Sequence, residues 1–222
     1  MGIIVAIDGP AGSGKGTVTK KISNALGLVS IDTGATYRCV ALNMLQRNVK
    51  LNEEEKIKQI LENINIDLKP DGKIFLNGDD VTDKIRTPEV SEFVSQVSTL
   101  KIVRDRMVEI QRKMSVGKNV IMEGRDIGTV VFPNANVKIY LDASPEVRAE
   151  RRMKQMAEKG TKLDYEQVLK EIIERDTRDS NRAIAPLKQA DDAIYVDSSK
   201  MTIDEVTNKI IEIIKFATRD VD

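Results

Sequence analysis

Short apolar stretches alternating with amphipathic helical stretches predict an α/β fold on a parallel sheet buried on both faces. The strand candidates run over residues 3–8, 29–32, 120–123, 137–142 and 193–197, and several end in an acidic residue. A second observation is a break in this texture at 64–81. There Pro70-Asp71-Gly72 and Asn77-Gly78 separate apolar runs at 65–68, 73–76 and 79–81. Such dipeptides are hairpin turn signals, so a small antiparallel meander is predicted between the second strand and a long helix over 88–115. The third observation is the Gly-rich run Gly9-Pro10-Ala11-Gly12-Ser13-Gly14-Lys15-Gly16-Thr17, placed between the first strand and the first helix.

Helix starts are marked by Thr87-Pro88 and Ser144-Pro145, each a cap before a proline at the first helical position. Asp164 with Gln167 and Thr202 with Glu205 have the spacing of capping boxes. Ile57, Ile60, Leu61 and Ile64 form one apolar stripe, and Ile203, Val206, Ile210 and Ile213 another. Both read as core-facing sides of amphipathic helices.

At 222 residues the chain suits one core with insertions or small appendages. Its 35 basic residues balance 35 acidic ones, so any anion recognition rests on local clusters, and a general grip on nucleic acid is not expected. Without a long apolar run or a basic leader, the expectation is a cytoplasmic protein with no membrane partner. A coiled-coil pattern is missing too, which points to a monomer. Cys39 is the one cysteine and is expected to pack as a small apolar side chain. The chain contains no histidine, which removes the usual imidazole base and the commonest zinc ligand. Phosphoryl transfer tolerates that restriction, because it depends on positioning and on charge neutralisation by Arg, Lys and Mg²⁺.

The Gly-rich run is a phosphate-binding loop in its strand–loop–helix context, which makes the predicted core of the P-loop NTPase type. Glycines let successive N–H groups turn toward one point, Lys15 adds a positive charge, and the helix adds the positive end of its dipole. Gly16 stands where the common pattern has Ser or Thr, and the hydroxyl comes one place later at Thr17. Thr17 can support a metal or a phosphate, or it can cap the helix.

Three downstream clusters have the chemistry of nucleotide handling. The first is Asp32-Thr33-Gly34-Ala35-Thr36-Tyr37-Arg38, and the second is Glu123-Gly124-Arg125-Asp126. The third is the arginine set Arg148, Arg151, Arg152, Arg175, Arg178 and Arg182, with Asp176 and Asp179 interleaved. Taken singly, an arginine can also be read as part of a solvated, ion-paired helix face, the lesser of the two readings. As a group they suit a segment that closes over polyphosphate and excludes water.

The phosphate loop, D-T-G-A-T-Y-R, S-Q-V-S at 95–98, E-G-R-D-I-G-T-V-V-F-P and R-D-T-R-D-S-N-R together resemble the bacterial cytidylate kinase family over nearly the whole chain. That resemblance implies transfer of the γ-phosphoryl group of ATP to CMP or dCMP, with Mg²⁺. It divides the chain into a core at 1–32, 98–147 and 183–222, a nucleoside monophosphate-binding insertion at 33–97, and a lid at 148–182. It also implies roles. Residues Gly9 to Thr17 would hold ATP. Arg38 and Arg125 would hold the acceptor phosphate, and Thr33 would bind substrate. Ser95, Arg104 and Asp126 would read cytosine, and Asp179 and Arg182 would contact the acceptor sugar or phosphate. Lys15, Arg125 and Arg175 would serve the transferring group, and Arg148, Arg151, Arg152 and Arg178 are lid candidates. Glu123 stands where some relatives have Asp, and together with Thr17 it would support the metal.

Two other readings set the contrast. A GTP-dependent switch needs D-x-x-G and N-K-x-D elements, and neither occurs; Asn208-Lys209 is followed by two isoleucines. A nucleic-acid-stimulated ATPase fits poorly with zero net charge and 4% aromatic residues. A kinase for UMP, AMP or a hydroxylated metabolite stays open within the kinase class.

Overall fold

The computed structural model describes residues 2–158 and 160–219. In chain order its strands are β1 (Ile4–Asp8), β2 (Val29–Asp32), β3 (Ile66–Leu68), β4 (Ile74–Leu76), β5 (Asp79–Asp80), β6 (Val120–Gly124), β7 (Val137–Asp142) and β8 (Ile194–Asp197). Its helices are α1 (Lys15–Leu26), α2 (Thr33–Gln46), α3 (Glu54–Glu62), α4 (Pro88–Val97), α5 (Lys101–Met114), α6 (Pro145–Glu158), α7 (Tyr165–Ser180) and α8 (Ile203–Thr218). A 3₁₀ turn covers Lys84–Arg86, and a π-helical turn covers Ile127–Val131.

The chain separates into two compact units, one made of the residues up to Ser30 together with those from Gly117 on, the other of Ile31–Val116. The first unit carries the sheet, in strand order β2-β6-β1-β7-β8. β1 lies parallel between β6 and β7, and β8 is parallel to β7. β1 is buried almost throughout, as a central strand covered on both faces must be. Val5, Ile7, Ile121, Ile139 and Leu141 pack there with Val18 and Ile22 of α1 and Val206, Ile210 and Ile214 of α8. The capping box at Thr202 and Glu205 forms as expected. Asp164 caps Gln167 N at 3.0 Å, but the Gln167 amide turns to Glu171 at 3.2 Å, so only half of that box is made. Helices α6 and α7 pack through Ala149, Val168 and Ile172.

In the unit Ile31–Val116 the meander forms in strand order β3-β4-β5, antiparallel throughout. Both residues of its second turn have positive φ, Asn77 at 53° and Gly78 at 94°, the conformation an Asn-Gly hairpin requires. The expected long helix over 88–115 is instead two helices, α4 and α5. At the break, Ser98 Oγ donates to the Ser95 carbonyl (3.2 Å) and Thr99 Oγ1 to that of Gln96 (2.7 Å). Such back-bonding offers the backbone an alternative to helix continuation. Val103 and Met107 of α5 share one apolar cluster with Val40 and Met44 of α2 and Ile57 and Leu61 of α3, which groups α5 with the insertion. Cys39 is fully buried in the same cluster, and burial pushes its thiol up to about 12.

Candidate active site

The phosphate loop leaves the carboxyl end of β1 and enters α1 at Gly14, whose backbone is left-handed (φ 94°). Among the described residues no side chain caps this helix start, so its first N–H groups remain available as anion donors. Lys15 is 6% exposed, and its ammonium donates to the carbonyls of Gly9 (2.8 Å) and Pro10 (2.7 Å) and to Ser13 Oγ (3.3 Å). Burial holds this amine well below the usual lysine range, the Arg125 charge pushes it further the same way, and Glu123 and Asp8 act in opposition. Arg175 also lowers it. Lys15, Arg125 and Arg175, predicted to serve one transferring group, are therefore within electrostatic reach of one another.

Glu123, one methylene longer than the Asp of some relatives, extends to the start of α1. A Cβ built on Gly16 would lie 3.3 Å from Glu123 Oε1. The carboxylate thus reaches the first turn of α1, and a Ser or Thr at 16 would crowd it. Thr17 lies exposed on the same turn. Hard oxygen donors of this kind suit Mg²⁺, which binds through one or two carboxylates plus substrate phosphates.

Arg125 follows β6 directly. Its Nε donates to Asp179 Oδ2 at 3.1 Å, and Arg182 pairs with the other oxygen of Asp179. Asp179 is 2% exposed. It serves as the buried hinge of an Arg125–Asp179–Arg182 triad, which holds both guanidinium groups in fixed directions.

The rest of the arginine set divides. Arg148 is buried: its Nε donates to the Ala143 carbonyl at 2.8 Å, its Nη1 to the Ala11 carbonyl at 3.1 Å, and its fork pairs with Asp176. A guanidinium carries five donors, and burial forces them onto nearby acceptors. Arg148 therefore ties the phosphate loop to α7, where the sequence had suggested an arginine closing over polyphosphate. Arg151 is likewise engaged, with Ser198 O at 2.7 Å and Ser198 Oγ at 3.1 Å. Arg152 and Arg178 lie exposed on their helices.

In the unit Ile31–Val116, Asp32 caps α2 by accepting from Ala35 N (3.0 Å) and pairs with Arg38 (2.7 Å) through its other oxygen. This places Arg38 in the second turn of α2, whose first residue, Thr33, is buried. Arg104 of α5 is 3% exposed; its guanidinium lies 5.4 Å from the centre of the Tyr37 ring, and its Nη1 donates to Ser98 O at 3.1 Å. The Ser98 hydroxyl reaches the Ser95 carbonyl, so Ser95, Ser98, Arg104 and Tyr37 share one corner. Gln111 Nε2 supports α2 from below through Thr36 Oγ1 at 2.9 Å. Tyr37 and Asp32 lay inside a recognised motif without individual roles. An aspartate immediately before the first helical residue is the capping signal that marks Asp32.

The family model for cytidylate kinase matches residues 5–216. The chain belongs to the cytidylate kinase family. It is similar to a cytidylate kinase of Fusobacterium nucleatum, 51% identical over 94% of this chain and 95% of that one. It is also similar to one of Caldicellulosiruptor saccharolyticus, 49% identical over 95% of each chain. A third relative, from Thermotoga maritima, is 43% identical over 97% of this chain and 98% of its own length. Among solved structures, an uncharacterised protein of Eubacterium ventriosum shares the fold at a TM-score of 0.55 and 14% identity, over 96% of this chain and 98% of that one. As a family member the chain is a nucleoside monophosphate kinase, with the P-loop core, parallel sheet and separate meander predicted from its sequence. Among the described residues no helix is long and apolar enough to cross a membrane.

Proposed function

We propose that this chain phosphorylates CMP and dCMP at the expense of ATP, giving CDP or dCDP and ADP by direct in-line transfer. The observation that carries this reading, beside the family, is the electrostatic convergence of Lys15, Arg125 and Arg175 at a helix start without a side-chain cap. Such a grouping is suited to charge that spreads over the oxygens of a transferring phosphoryl group. The nucleophile is a phosphate oxygen of the acceptor, already ionised, so no general base is required. A triphosphate held by residues Gly9 to Thr17 would add counter-charge at the buried Lys15 ammonium, beside that of Glu123 and Asp8.

Mg²⁺, supported by Thr17 and by Glu123, directly or through water, supplies neutralisation of the phosphate oxygens when bound. Arg38, Arg125 and Arg182 hold the acceptor phosphate and sugar, Thr33 also binds the acceptor, and Asp179 aligns Arg125 and Arg182. Asp126, Arg104 and Ser95 read cytosine. The base offers an amino donor to an ionised carboxylate, where uracil offers a carbonyl oxygen, and its ring acceptors meet Arg104 and Ser95. The buried Arg104 guanidinium, 5.4 Å from the centre of the Tyr37 ring and held through Nη1 by the Ser98 carbonyl, supports this assignment, since its remaining donors are then fixed in direction. We place the enzyme in the cytoplasm, acting as a monomer.

Phosphorus NMR of ATP, Mg²⁺ and CMP tests the transfer itself. The reading requires CDP and ADP to form in equal amounts. Release of inorganic phosphate with no CDP would replace transfer by hydrolysis.

A further inference from the structure

Asp8 takes no part in the chemistry above, yet it is a carboxylate placed in the middle of the sheet. It ends β1, stands opposite Gly124 of β6 in the parallel register, and is 5% exposed. Its Oδ1 accepts from Ile127 N at 2.8 Å and its Oδ2 from Gly128 N at 2.7 Å. These are the first two N–H groups of the π-helical turn Ile127–Val131, whose N-cap residue, Asp126, makes no side-chain cap. A helical turn normally takes its cap from its own N-cap residue; this one takes it from a strand 119 residues earlier. The approach is close. A Cβ on Gly128 would lie 3.1 Å from Lys138 Cδ and 3.4 Å from Asp8 Oδ2. Arg125 and Asp126 are therefore fixed from both sides, by the β6 pairing at Gly124 and by the Asp8 clamp on the two residues that follow.

We propose that Asp8 is a positioning residue for acceptor recognition: from the strand that carries the phosphate loop, it caps the turn after Arg125-Asp126 and sets that pair in register with the loop. This rests on the assignment of Arg125 and Asp126 to the acceptor. A carboxylate suits the task because both of its oxygens accept. An Asn of the same shape would turn an NH₂ toward one of the two N–H groups, donor against donor.

The test uses the full chain carrying Asp8→Asn, with CMP, UMP and ATP each varied at a saturating level of its partner. It adds amide hydrogen exchange at Ile127 and Gly128 without nucleotide. A lost charged hydrogen bond predicts about a tenfold rise in KM for CMP and about a tenfold narrowing of the CMP-over-UMP preference in kcat/KM, with KM for ATP changed less than about twofold. Exchange at both amides should quicken. Gly128→Ala, which presses a methyl group toward the same carboxylate, should give the same pattern in weaker form and carries the test if Asp8→Asn does not fold. Unchanged KM for CMP and unchanged base preference overturn the proposal, as do KM values for CMP and ATP that rise together. If the unmodified protein does not phosphorylate CMP, the assignment of the acceptor fails. Amide exchange then judges the clamp by itself, and unaltered protection in Asp8→Asn rejects it.

Discussion

Replacing Asp179 by Ala removes the shared counter-charge of two arginines in one step. The Asp179 side chain is 3% exposed, Arg182 10% and Arg125 19%, so none of the three can turn to bulk water without rearrangement. Breaking a buried pair by deleting one partner costs about 3–5 kcal/mol, because a charge is left without compensation. Against a total stability of about 5–15 kcal/mol, that is a large share. For a chain of this length each kcal/mol moves the melting temperature by about 2–4 °C, so Asp179→Ala should melt about 6–20 °C lower. Thermal unfolding followed by circular dichroism measures this. Asp179→Asn, which keeps the shape and one acceptor, should fall between the two. Adding Arg182→Met to Asp179→Ala should recover part of the loss, since one of the two stranded charges is then gone. A melting temperature within about 2 °C of the unmodified protein would refute the view of Asp179 as a buried electrostatic hinge.

Three further outcomes follow from the same geometry. Lys15→Met should leave a folded protein with at most trace kinase activity, judged by coupled ADP release beside a circular dichroism spectrum; near-normal turnover would remove the loop from the mechanism. Asp126→Ala should raise KM for CMP about ten- to a hundred-fold while leaving KM for ATP nearly unchanged; equal effects on both would reject its role in reading the base. Burial pushes the Asp8 carboxyl up to about 6 from the ordinary 3.8, against the lowering effect of the Gly128 and Ile127 amides. Between those values the folded chain holds a proton that the unfolded chain has released, so this group's contribution to stability falls as pH rises. The stability of the unmodified protein minus that of Asp8→Asn, from urea unfolding, should therefore drop by about 2 kcal/mol between pH 4 and pH 7. A flat or rising difference would contradict the sign.

Local chemistry in the sequence foretold most of the fold. Asn77-Gly78 dictates its hairpin because few other residue pairs accept two successive positive φ values, and Thr202 with Glu205 forms its capping box within one turn. The break between α4 and α5 was hidden for a physical reason. Apolar residues recur every three or four positions across it, at Val90, Val94, Val97, Leu100, Val103 and Met107, and such spacing does not sense that Ser98 and Thr99 bond back to the preceding turn. The site divides along the same line. The phosphate loop is legible because its parts are consecutive. Arg148 with Asp176 is a contact across 28 residues, and Asp8 with Gly128 N is one across 120. Partners that far apart are chosen by the sheet and by the packing of α6 on α7, so the same arginine reads from sequence as a ligand contact or as a structural tie.

ADP formation from ATP and Mg²⁺, with CMP, dCMP, UMP, AMP and GMP offered singly, tests the central claim most directly. The account predicts fast turnover with CMP and dCMP, and kcat/KM for UMP lower by about tenfold or more. Turnover that no monophosphate accelerates, or that AMP or UMP accelerates more than CMP, would contradict it.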